Sequence, residues 1–135
     1  MLFRSLCDQW LLQIAERYPF CRTELLGSTA FQRPIRSLVI GSGPRKVLYS
    51  AAHHANEWIT SLVLLKFAED LAAAIAGGGQ LFGVDAQVIA DTATIHLVPM
   101  VDPDGVDLGS RSSNSSFIAR FIHTSIGKAS RRCSP

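Results

Sequence analysis

The sequence predicts an α/β protein with a mostly parallel sheet, and three observations carry that prediction. An apolar stretch, VLYSAA (47–52), is followed by a long helical pattern and then by a second apolar stretch, ATIHLVPMV (93–101). Strand, helix, strand in that order implies a right-handed crossover, which lays the two strands parallel. The intervening pattern repeats its apolar positions every three to four residues, the period of an amphipathic helix. Glycine and proline clusters mark each change of pattern, as turns require. At 135 residues the chain suits one domain with a sizeable core.

Each element has its own justification. Leu2, Phe3, Leu6, Trp10, Leu11 and Ile14 form a helical stripe over 2–17, and Pro19 ends it. CRTELLG (21–27) and IRSLVIG (35–41) read as short strands separated by STAFQRP, whose Pro34 suits a strand entry. GSGPRK (41–46) is rich in turn residues and predicts a hairpin joining IRSLVIG to VLYSAA. The latter is apolar at nearly every position, the pattern of a strand covered on both faces. Trp58, Leu62, Leu65, Ala68, Ala72 and Ile75 predict a helix over 58–76, which GGG (77–79) stops. A linker then leads to 93–101, another buried strand, and DPDG (102–105) has the signature of a type I turn.

After Leu108 the periodicity weakens. GSRSSNSS reads as linker or disorder, while FIARFIHTSI keeps some helical spacing. The expected division is therefore 1–108 as the folded part and 109–135 as a basic Ser/Arg-rich tail, disordered or out of frame. Charge supports that division. Residues 1–108 carry 8 Lys and Arg against 11 Asp and Glu, whereas 109–135 carry five basic residues and no acid. Apart from Phe117 and Phe121, no aromatic residue interleaves those basic residues, so no nucleic-acid partner is expected.

Composition excludes other classes. The chain is 47% apolar and 18% charged, as in ordinary globular proteins. Lys66, Glu69 and Asp70 interrupt the most apolar segment, so no membrane span is expected. Asp8 and Gln9 interrupt the apolar N-terminus, which argues against a secretory signal and gives a default expectation of the cytoplasm. Cys7, Cys21 and Cys133 are an odd count without C-x-x-C spacing, and read as buried or free thiols of a reducing compartment.

The chemistry concentrates in HHANEW (53–58). His54 and Glu57 form H-x-x-E just beyond a predicted strand, where open α/β sheets collect their ligands. Glu57 falls at the start of the following helix, whose dipole favours an ionised carboxylate. A neutral imidazole and a carboxylate aimed at one point suit Zn²⁺. The same two residues also serve as an ordinary cap and surface pair in many helices. His53 points to the opposite face from His54 by strand alternation, and reads as a structural residue or a support to a ligand rather than a ligand itself. His96, inside a predicted buried strand, reads as a hydrogen-bonded core histidine. Asp102 and Asp104 serve their turn.

With RYPF, RPIRSLVIGSGPRKVLYSAAHHANEWITS, LLKFAEDLA and HLVPMVDPDGVDL in view, the chain from Arg17 to Leu108 resembles the zinc carboxypeptidase (carboxypeptidase A-like) metallopeptidases. It looks especially like the bacterial branch with γ-D-glutamyl–diaminopimelate peptidases. The resemblance implies a three-layer α/β domain with a mixed sheet, a zinc cofactor and a peptide substrate, with His54 and Glu57 as two zinc ligands. Asp102 stands where that family usually has Asn. Family members also carry substrate-binding arginines, a third ligand histidine and a general-base glutamate downstream. No such motif is visible here, no Asp or Glu follows Asp107, and His123 comes too soon after Glu57 to match. The expectation is thus a truncated N-terminal portion whose sheet exposes an apolar edge, inactive alone; the alternative is a non-catalytic remnant or binding module.

Overall fold

The computed structural model describes residues 2–111. Helix α1 (Phe3–Arg17) leads into an antiparallel pair, β1 (Arg22–Ser28) and β2 (Pro34–Ile40). Strand β3 (Arg45–Ser50) and helix α2 (Ile59–Ala76) follow. A small hairpin, β4 (Gln80–Leu81) with β5 (Val84–Asp85), precedes helix α3 (Ala86–Thr92), strand β6 (Ala93–Val98) and helix α4 (Pro103–Arg111). The main sheet has the order β1-β2-β6-β3. It is mixed: β3 pairs parallel with β6, while β1–β2 and β2–β6 are antiparallel. The parallel share is smaller than the strand-helix-strand order suggested, because the described residues contain one crossover and the β1–β2 pair extends the sheet antiparallel.

Alternation along the strands builds the core. Leu38 and Ile40 of β2, with Ile95 and Leu97 of β6, face Trp10, Leu11 and Ile14 of α1 and Leu62, Leu65 and Leu71 of α2. Trp58 sits edge-on to Phe3 with ring centres 5.4 Å apart, and Tyr49 of β3 meets Phe67 of α2 at 5.8 Å. Burial of such side chains, each worth roughly 1.5–3 kcal/mol, is what holds the two helices on the sheet. Cys7 and Cys21 are buried free thiols, and burial holds Cys7 far above its ordinary range and pushes Cys21 up to about 11. Neither is poised to react. Among the described residues no helix is long and apolar enough to cross a membrane.

Three expectations are corrected. GSGPRK does not close a hairpin: β6 lies between β2 and β3. The turn passes over the junction of α3 and β6, with Ser42 N–H donating to Ala90 O at 2.9 Å and Gly43 N–H reaching Ala90 O and Ala93 O at 3.2 Å each. Strand β3 is not covered on both faces; it is an edge strand with Leu48 66% exposed. Among the described residues its outer edge carries no strand partner. The supposed linker before β6 folds into the small hairpin and α3, whose N-cap Asp85 accepts from the amides of Gln87 and Val88. Asp at that position is a standard helix start signal.

A buried ion pair ties the core to the helix surface: Arg17 Nη1 lies 3.2 Å from Glu69 Oε1, with Glu69 itself 6% exposed. Burial raises the Glu69 carboxyl above its ordinary range, against the pull of Arg17 and Lys66. A carboxyl raised in the folded state binds its proton more tightly there, so its contribution is fully present below the unfolded pKa and lost as pH rises through the folded one. Glu69→Gln mimics the protonated form. Its urea midpoint, compared with the parent's, is expected to improve as pH goes from about 4 to about 8. A difference that stays flat or worsens with pH would contradict this.

Candidate metal centre

The HHANEW segment is a loop between the end of β3 and the start of α2, held from three sides. Beyond β3, Ala51 N–H donates to Val98 O at 3.0 Å and Ala51 O accepts from Val101 N–H at 3.0 Å. Ala52 adopts φ 51°, a left-handed turn uncommon for a residue with a side chain, and its carbonyl accepts from Asp102 N–H at 2.9 Å. That turn redirects the chain so that residues 53–58 project from the carboxyl end of the sheet.

The loop then brings His54 and Glu57 together. His54 Nδ1 lies 3.0 Å from Glu57 Oε1, and the two side chains are 74% and 46% exposed. Glu57 N–H donates to His54 O at 3.1 Å, closing a single turn that puts both side chains on one side. In tetrahedral zinc with bonds of about 2.0 Å, neighbouring donors lie about 3.3 Å apart, so this pair fits two adjacent corners. Imidazole nitrogen with carboxylate oxygen is also a donor set that zinc accepts. No group of three or more His, Cys, Asp or Glu among the described residues could hold a metal, so the pair stands without a third ligand there.

The other candidates go elsewhere. His53 lies in the loop beyond β3, where strand alternation no longer applies, with its Nε2 2.9 Å from Ser50 Oγ. His96 is not a core histidine: it is one-third exposed on the uncovered face of β6, with Nδ1 3.7 Å from Glu24 Oε2. Leu26, Lys46, Leu48 and His96 there surround an open hollow of about 360 Å³. His123 lies outside the described residues.

The DPDG turn is the first turn of α4. Asp102 accepts from Gly105 N–H at 2.9 Å as its cap, and Val106 N–H donates to Asp102 O at 3.1 Å. Asp104 accepts from Thr29 Oγ1 at 2.9 Å and from Arg33 Nη1 at 2.8 Å. The boundary expected after Leu108 falls inside α4, which continues to Arg111. It can do so because Gly109, lacking a side chain, passes directly against the carbonyl of Ala55. The remainder of the expected tail lies outside the described residues. Sequence reasoning missed this support: that Gly105 and Gly109 face Ala55 is a fact of tertiary packing with no periodic signal.

Comparison with known proteins bears on the family and the fold. The zinc carboxypeptidase family model matches residues 7–130. The chain is 36% identical over 91 residues to gamma-D-glutamyl-L-diamino acid endopeptidase 1 of Lysinibacillus sphaericus, covering 67% of this chain and 23% of that protein. It is 34% identical over 106 residues to the protein YqgT of Bacillus subtilis (strain 168), covering 77% and 28%. A metallo-carboxypeptidase from Burkholderia cenocepacia superimposes with a TM-score of 0.59 at 29% identity, covering 76% of this chain and 27% of that one. Bovine thrombin-activatable fibrinolysis inhibitor, at 18% identity, shares the fold with a TM-score of 0.67 over 83% of this chain and 34% of its own. The chain thus spans about a quarter to a third of each of these proteins. On its sequence and its architecture, this chain belongs to the zinc carboxypeptidase family.

Proposed function

We propose that residues 1–108 form the first part of a zinc-dependent peptide hydrolase, in which His54 and Glu57 supply two of the zinc ligands. The observation that carries this is the 3.0 Å approach of His54 Nδ1 to Glu57 Oε1 at the carboxyl end of the sheet, both open to solvent. By the likeness to the Lysinibacillus enzyme, the bond cleaved by the longer protein is an amide within a γ-D-glutamyl-L-diamino acid peptide.

A bound zinc would supply Lewis acidity, acidifying a water and polarising a peptide carbonyl. The chain's own residues would hold the metal from one side and leave its other side open to substrate. They do not complete the machinery. A catalytic zinc has three protein ligands, and a general base worth ~10²–10⁴-fold in rate must reach the attacking water. The described residues bring together His54 and Glu57, with no group of three such side chains. On this reading the third ligand and the base come from outside residues 2–111.

Zinc affinity, measured by competition with a chromophoric chelator, tests the assignment. Relative to the parent chain, His54→Ala is expected to weaken binding by about tenfold or more, with Glu57→Gln close behind. Equal affinity in parent and His54→Ala would remove His54 from the site.

A further inference from the structure

We infer that Thr60 is a positioning residue for the His54/Glu57 centre, an inference that rests on the metal reading just given. Its hydroxyl spans the loop. Thr60 Oγ1 donates to Glu57 O at 2.7 Å and accepts from Ala52 N–H at 2.9 Å. Thr60 N–H donates to Glu57 O as well, at 3.0 Å, so the Glu57 carbonyl is held twice by one residue.

The partner at the other end makes this bridge specific. Ala52 is 1% exposed and holds the left-handed φ that starts the loop. Its carbonyl is taken by Asp102 N–H, and its amide is taken by Thr60. The hydroxyl therefore fixes the point where the chain leaves the sheet against the backbone of Glu57. His54 lies between those two anchors. The span from Ala52 to Glu57 sets the spacing of the two donors, and the Thr60 hydroxyl fixes that span. Trp58, at the start of α2, makes no side-chain cap bond of its own.

Two substitutions separate the hydroxyl from the shape around it. Thr60→Val keeps the branched outline and removes both hydrogen bonds, while Thr60→Ser keeps the hydroxyl. Thr60 itself is solvent-exposed, so both variants are expected to fold. With zinc as the probe and the full chain as the protein, Thr60→Val is expected to lose about tenfold in affinity, the loss typical when the support of a metal ligand is removed. Thr60→Ser is expected to stay within about twofold of the parent. Without metal, Thr60→Val is expected to melt somewhat below Thr60→Ser, because the buried Ala52 amide loses its acceptor, and the rise on adding zinc should shrink in Thr60→Val alone. Unchanged affinity in Thr60→Val, or equal losses in Val and Ser, would overturn the inference. Should Thr60→Val fail to fold, amide exchange in the parent decides: slower exchange at Ala52 on adding zinc supports the bridge, and unchanged exchange refutes it. His54→Ala serves as the separate control. If His54→Ala binds zinc as the parent does, the metal reading itself falls; if it loses binding while Thr60→Val does not, only the role of Thr60 falls.

Discussion

Gly43→Ala is expected to destabilise the chain by about 3 kcal/mol or more. A Cβ at this position would land inside the peptide group joining Thr92 to Ala93. Neither side can yield easily. The Gly43 amide is held by Ala90 O and Ala93 O, and its carbonyl accepts from Thr94 Oγ1 at 2.7 Å, which in turn accepts from Lys46 Nζ at 3.0 Å. Backbone collides with backbone, so a rotamer change cannot relieve the overlap. Gly27→Ala makes the matched control, since a Cβ there meets nothing within 4 Å and is expected to change stability by less than about 0.5 kcal/mol. Urea unfolding of the two variants checks the contrast. A Gly43→Ala chain within about 1 kcal/mol of the parent would mean that the turn does not cross β6 as described.

The second large effect is expected at Asp107. This carboxylate is 1% exposed, with Oδ2 3.2 Å from Arg4 Nε of α1 and 3.0 Å from Arg33 Nε of the β1–β2 turn. Arg33 also reaches Asp104, and Arg4 reaches Asp8, so the network fastens α4 to both α1 and the sheet. Removing one member of a buried pair leaves its partners without compensation, typically at about 3–5 kcal/mol. Here the arginines are about a quarter exposed and partly rehydrate, which brings the expected loss for Asp107→Ala to about 2–3 kcal/mol. Leu108→Ala, at a residue 69% exposed on the same helix, should change little. Chemical unfolding reads both, and equal effects would show that the network is not what holds α4.

Local pattern was the reliable part of the sequence. The α1 and α2 stripes, the first two strands and the β6 region all follow from residue spacing, because burial on a single face imposes a period. Partners in space were not legible. Nothing in GSGPRK distinguishes a turn between neighbouring strands from one that steps over an intervening strand, since both need the same small residues. The apolar run of β3 was read as covered on both faces and that of β6 as buried, and those readings failed at Leu48 and His96, which face outward in the described residues. At the candidate centre, H-x-x-E was visible as a spacing. Its support was not, because the Thr60 hydroxyl, the Ala52 backbone and Gly109 act on groups that only the folded chain brings together, and no residue period marks them.

The left-handed turn at Ala52 carries a consequence for how the centre forms. His54 and Glu57 are neighbours in sequence, and closing so short a loop loses little chain entropy. Yet the loop keeps its shape through Asp102 and Gly109, which arrive from a distant part of the chain. A peptide covering only this segment would own both donors and hold neither in place. The arrangement of His54 and Glu57 thus depends on α4 being docked as well as on the loop's own sequence, so loosening of that loop would report the loss of docking.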